Sequence, residues 1–173
     1  MFLDETILTE TPPLRAAWAL EGKQAEVPIT GNRDKRVLCG VLNPKTGTGL
    51  LHGAEVWNQE EFQDVLYQIR SWWRGWRIVL FIDRGSPHTA KRSRQLARKL
   101  GIEIRWLPVA CPELNPLEDL WRHVKQDVLA NEPTPDLDAS LGRALEYILS
   151  LTPKERLLKA GVLSGNFWLR NVL

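Results

Sequence analysis

The sequence has no stretch approaching the ~20 consecutive apolar residues that a membrane span requires. Asp4 and Glu5 stand where a secretory leader would place basic residues and then an apolar run. A cytoplasmic chain with no membrane partner is therefore expected. Cysteine is scarce: Cys39 and Cys111 are the two present. Their spacing is neither Cys-x-x-Cys nor a Cys/His pattern, which argues against a zinc framework and for reduced thiols. An excess of one charge sign is also missing, since 23 Lys and Arg face 21 Asp and Glu for a net charge of +2. Overall charge thus makes no case for a polyanionic partner, and any such case must come from how the charge is distributed.

What is present suits one compact domain over residues 1–173, with 43% hydrophobic and 25% charged residues. The basic residues are clustered. Between Arg84 and Arg105 stand Arg84, Lys91, Arg92, Arg94, Arg98, Lys99 and Arg105 against the single acid Glu103.

Phe2 and Leu3 read as the end of a short buried strand that stops at Asp4 and Glu5. Residues 35–42 form an apolar strand, Asn43 to Gly47 has strong turn chemistry, and Leu50 to Val56 returns as the second arm of a hairpin. Asn58 caps a helix in which Phe62, Val65, Leu66, Ile69 and Trp73 recur at helical spacing. Ile78 to Ile82 is a continuous apolar run suited to a strand buried on both faces. A basic helix from about His88 to Leu100 leads to a further strand, Ile102 to Leu107. A helix from Asn115 to about Leu129, a Pro-rich linker at residues 132–135, and helices over residues 137–149 and 153–162 complete the chain.

Three acids stand out. Asp83 ends an apolar strand, where catalytic groups collect in open α/β sheets, although a turn or cap role fits the same position. Asp4 also ends a strand, so a parallel arrangement would bring the two carboxylates together, and two such anions repel unless a cation lies between them. Glu118 lies three residues past Asn115, which is the capping-box position and a sufficient structural explanation by itself. Three carboxylates from two strand ends and one helix suit a pair of Mg²⁺ ions that promote phosphodiester cleavage.

The chain resembles the mariner-like superfamily of DDE transposases, in its bacterial insertion-sequence branch. The resemblance rests on Phe2-Leu3-Asp4-Glu5-Thr6, Trp18 and Gly22, Ile82-Asp83 with His88, Leu107-Pro108, and Pro112-Glu113-Leu114-Asn115-Pro116-Leu117-Glu118 with Trp121 and Lys125. Thirty-four residues lie between Asp83 and Glu118. It implies a ribonuclease H-like α/β fold, a five-stranded mixed sheet flanked by helices, with the first, fourth and fifth strands parallel. It also implies a catalytic triad of Asp4, Asp83 and Glu118 binding two Mg²⁺ or Mn²⁺ ions. The activity implied is cleavage at transposon ends and transfer of the 3′-hydroxyl ends into target DNA.

DNA and a second copy of the chain are the implied partners. Members of the family carry an N-terminal helix-turn-helix region, and the branch can divide its transposase between two reading frames. The chain is thus expected to be the catalytic portion, with an upstream helix-turn-helix portion as partner. Candidate DNA contacts are His88, Lys91, Arg92, Asn115 and Lys125. His88 either contacts a phosphate, braces Asp83 or is a solvated surface residue; Asn115 either contacts DNA or orients the loop carrying Glu118. Trp106 and Trp121 read as core. Arg84 departs from the branch, where Asn usually follows the second acid, and raises the alternative of an inactive remnant that binds DNA or a transposase subunit. Another ribonuclease H-like nuclease, a junction resolvase or a ribonuclease acting on RNA·DNA hybrids, fits the acids but not the Asn115-Pro116-Leu117-Glu118 motif.

Overall fold

A computed structural model describes residues 1–29, 31, 33–132 and 136–169. The elements run β1 (Phe2–Thr9), β2 (Lys35–Leu42), β3 (Gly49–Ala54), α1 (Gln59–Trp72), β4 (Ile78–Ile82), α2 (Ser86–Thr89), α3 (Lys91–Lys99), β5 (Ile102–Trp106), a 3₁₀ turn (Pro112–Leu114), α4 (Pro116–Asp127), α5 (Leu137–Ser150) and α6 (Pro153–Lys159). Apart from Glu132, the Pro-rich linker lies outside the described residues. Among the described residues, no helix is long and apolar enough to cross a membrane.

The strands form one sheet in the order β3-β2-β1-β4-β5. β2 is antiparallel to both β1 and β3, and β1, β4 and β5 are parallel, as expected. Alternation along each strand sends neighbouring side chains to opposite faces. Phe2, Leu38 and Leu42 thus pack with Leu117, Leu120, Trp121 and Val124 of α4 and with Ala144 and Ile148 of α5. Leu3, Cys39 and Val41 pack on the other side with Phe62, Val65, Leu66 and Ile69 of α1 and Ala97 of α3. With both faces covered, the sheet can position polar groups only at its ends and edges.

Two expectations are corrected. β1 does not stop at Asp4: it continues to Thr9, paired along its whole length with β2. The two acids interrupt the apolar pattern because they sit where β1 parts from β4, whose register pair is Phe2 with Phe81. Beyond them Thr6 and Leu8 are buried while Ile7 and Thr9 are exposed, an ordinary half-buried strand. The first strand is therefore eight residues long.

The basic segment is also not one helix. α2 ends at Ala90, whose extended backbone (φ −53°, ψ 136°) separates it from α3. A continuous helix with His88 turned inward would bring Arg92, four residues on, to the same face. The break shifts the phase so that Ser93 and Ala97 are buried and Arg92 is exposed.

The hairpin turn and helix caps are as expected. The Asn43 amide bonds to Thr48 and the Gly47 amide to the Asn43 carbonyl. Asn58 Oδ1 accepts from the Glu61 amide at 3.0 Å. The Trp18 segment is an irregular connection between β1 and β2, and the Trp18 side chain is exposed.

Gly40 of β2 pairs with Asp4 in register. A Cβ there would lie 2.7 Å from Trp121 Cη2 and 2.9 Å from Cζ2. Glycine is required at this position because the indole ring is seated against the strand. Gly40→Ala is expected to lower stability by about 1–3 kcal/mol, the cost of overpacking a filled core. Urea denaturation measures this, and an unchanged midpoint would mean that Trp121 has room to move.

Candidate active site

Asp4 and Asp83 each lie two residues beyond the paired Phe2 and Phe81, so the parallel register brings both acids to the same end of the sheet. Glu118 arrives from β5 through the loop at residues 107–115 and the first turn of α4. Together Asp4, Asp83 and Glu118 line a cleft of about 370 Å³ with Arg84, Asn115 and the Leu107–Pro112 loop. Within that loop Ala110 has φ 57°, a left-handed conformation unusual for a residue with a side chain.

Each acid is held by a different device. Trp121 Nε1 donates to Asp4 Oδ2 at 2.9 Å. Asp83 Oδ1 receives the Gly85 amide at 2.9 Å and pairs with His88 Nδ1 at 2.7 Å. Glu118 stands exposed in the first turn of α4, where the helix dipole favours a carboxylate. The capping box that would by itself have explained Glu118 does not form there. Asn115 Oδ1 accepts from the Leu117 amide instead, and Asn115 Nδ2 donates to the Leu3 carbonyl at 2.9 Å. That last bond ties the start of α4 to the residue before Asp4.

The charges are unequal. Burial pushes the Asp4 carboxyl up to about 8, with Glu118, Glu5 and Asp83 adding repulsion and the Trp121 bond opposing it. Asp83 is held below the usual carboxylate range, chiefly by its bond from His88 and then by the Gly85 amide. The cleft therefore combines a carboxylate with a carboxyl that keeps its proton up to about pH 8. An all-oxygen donor set in an open cleft, with room for waters, fits a hard divalent cation such as Mg²⁺ or Mn²⁺.

The remaining candidates separate. Asn115 lines the cleft, but it is buried and both polar atoms of its side chain are bonded within the protein. His88 is 1% exposed, so of its three readings the structure realises the brace on Asp83. Lys91 and Arg92 are exposed on α3. Lys125 lines a separate cleft with Thr9, Pro12, Pro13 and Leu129. Trp106 packs partly buried against the α1 core, and Trp121 is buried yet also reaches Asp4. Sequence reasoning missed that second role of Trp121, although its spacing three residues after Glu118 on one helix face was a usable signal.

A five-stranded mixed sheet with acids where its parallel strands β1 and β4 part, and on the helix after β5, defines the ribonuclease H-like class of fold. Residues 1–139 match the DDE superfamily endonuclease family, and the chain belongs to it. An insertion element IS630 uncharacterized 39 kDa protein from Shigella sonnei is 23% identical over 152 residues, covering 87% of this chain and 44% of that protein. The transposable element Tcb2 transposase from Caenorhabditis briggsae is 32% identical over 71 residues, covering 39% of this chain and 26% of that protein. The chain thus spans less than half the length of either curated relative. A Mos1 transposase paired-end complex with left transposon end aligns over 96% of this chain and 52% of that one, with TM-score 0.72 and 16% identity. The catalytic domain of Mos1 mariner transposase aligns over 94% and 75%, with TM-score 0.62 and 15% identity. At such identities the structural likeness shows the shared fold.

The Asp4 shift has a direct consequence for stability. Its usual value is 3.8 and its folded value about 8. Between these the folded chain keeps a proton that the unfolded chain gives up, so stability is full below the lower value and falls as pH rises through the upper. Glu5, also raised, acts in the same direction. The urea midpoint of the metal-free protein is expected to fall from about pH 5 to about pH 8, and Asp4→Asn to flatten that fall. Parallel curves for parent and variant would show that Asp4 titrates normally.

Proposed function

We propose that Asp4, Asp83 and Glu118 form the catalytic centre of a DNA transposase that cleaves at transposon ends and joins the 3′-hydroxyl ends to target DNA. The observation that carries this reading is the convergence of three carboxyls in one open cleft, where burial and its acidic neighbours disfavour the charged form of Asp4 and a cation would favour it. Solved Mos1 structures include a strand transfer complex and paired-end complexes with Mg and with Mn, properties of that protein that support the same substrate class and metals here.

Two Mg²⁺ or Mn²⁺ ions held by the triad would supply activation of a water or 3′-hydroxyl and stabilisation of the leaving oxygen. The residues do the positioning. Trp121 orients Asp4, and His88 with the Gly85 amide orients Asp83. Asn115 locks the start of α4, and with it Glu118, to β1. Arg84 is exposed on the wall of the cleft, placed to meet a DNA phosphate entering it. Lys91, Arg92, Arg94, Arg98 and Lys99 are all exposed on α3, and this basic face holds the DNA backbone without regard to sequence. Because two ends are joined in one event, a second copy of the chain is the proposed partner, with a helix-turn-helix portion of the same transposase reading the ends. The site of action is the cytoplasm.

Incubation of the chain with plasmid DNA and Mn²⁺ tests the reading. Metal-dependent nicking is expected from the parent and none from Asp83→Ala. Equal nicking by both would remove Asp83 from the centre. Salt-sensitive DNA binding without cleavage by the parent would instead favour a non-catalytic remnant.

A further inference from the structure

β1 carries two adjacent acids, and alternation sends them to opposite faces of the sheet. Asp4 meets Trp121 on the α4 side. Glu5 points to the α1 side, where Leu3 packs, and is largely buried there. Its neighbour is the His88 ring, itself stacked edge-on against Phe62 at 4.6 Å and Trp57 at 6.2 Å. His88 Nε2 lies 3.7 Å from Glu5 Oε2, too far for a hydrogen bond. Glu5 Oε2, His88 Nε2 and Trp57 Nε1 are all buried without a hydrogen bond of normal geometry, although the Trp57 N–H lies near enough to Glu5 to draw its carboxyl down.

Buried polar atoms are nearly always bonded, to protein or to an ordered water. Here a carboxylate acceptor, an indole donor and an imidazole nitrogen converge, the two to four polar partners that a buried water takes. A metal ion shared by Glu5, His88 and Asp83 fits less well, although their donor atoms lie within 4.8 Å of one another. Asp83 occupies the Nδ1 side of the imidazole and Glu5 the Nε2 side, so an ion taking both carboxylates and the ring would have to break the bond between Asp83 and Nδ1.

We propose that Glu5 is a positioning residue for Asp83: a water shared by Glu5, His88 and Trp57 holds the His88 ring so that Nδ1–H is fixed on Asp83 Oδ1. This deepens the catalytic reading of the cleft and rests on it. Asp83 Oδ1 already receives the Gly85 amide, which leaves Oδ2 for the cleft. The chain of contacts crosses the sheet end from the α1 layer to the catalytic face.

Nitrogen-15 spectra of the imidazoles, recorded with Mn²⁺ titrations of the same proteins, test the proposal. The chain has three histidines, and His88→Gln assigns the resonance. The expected parent signal is a single tautomer protonated at Nδ1. Glu5→Ala is expected to mix the tautomers and weaken Mn²⁺ binding roughly 10-fold to 100-fold, the usual loss when a supporting residue behind a metal ligand is removed. Glu5→Gln, which can still bond the water, is expected to restore both. An unperturbed tautomer in Glu5→Ala overturns the proposal whatever the metal result. If Glu5→Ala fails to fold, Trp57→Phe, which deletes only the N–H, carries the same expectation for the tautomer. Mn²⁺ bound by an Asp4→Asn, Glu118→Gln double variant but lost on adding Glu5→Ala would make the cluster a metal site and overturn the water bridge. Absence of Mn²⁺ binding by the parent would count against the catalytic reading alone, since the tautomer is read without metal.

Discussion

Three carboxyl groups held in one cleft repel each other, and one of them, Asp4, is also withdrawn from water. The arrangement is unfavourable by itself, so every neighbouring feature of the fold works to maintain it. The parallel register of β1 with β4 brings Asp4 and Asp83 to the same level. The Asn115 side chain bonds the Leu3 carbonyl and so sets the start of α4 against β1. Gly40 leaves the space in which Trp121 lies against β2 and reaches Asp4. A proton on Asp4 relieves the repulsion in the metal-free state, and a divalent cation in the cleft would relieve it without that proton.

Most of the fold was legible in the sequence, because it is written in periodicity and turn chemistry. The hairpin, α1 with its Asn58 cap, β4, β5 and α4 follow from patterns that a buried face imposes on any sequence. β1 was harder to read. Its acids look like a terminus in one dimension, and only the divergence of β1 from β4 explains why a strand continues through them. The break at Ala90 was equally hidden, since Ser86 to Thr89 and Lys91 to Lys99 are acceptable helix on either side of it. What decided the break was the inward anchoring of His88, a tertiary bond with no local signature.

The same division holds for the cleft. Asp83 and Glu118 were recognisable from a strand end, a spacing and the Asn115-Pro116-Leu117-Glu118 string, and the geometry brings them together with Asp4. Of their supporting groups, His88 and Asn115 were readable as candidates with other roles open, and Trp121 was not. Trp121 reads as core and is core, but its one polar atom is bonded to Asp4. Lys125 shares a helix with Glu118, yet it faces a different cleft at the far end of β1. Fold likeness at 15% to 16% identity is consistent with this pattern, since a sheet with covered faces constrains hydrophobic shape and leaves sequence otherwise free.

Crystals of the chain grown with Mn²⁺ and measured at the manganese absorption edge would locate the bound cation directly. Anomalous density among Asp4, Asp83 and Glu118, with Trp121 still bonded to Asp4, is the result that follows from the cleft described above. Density only at other carboxylates, or an Asp4 side chain turned out of the cleft with manganese present, would contradict it.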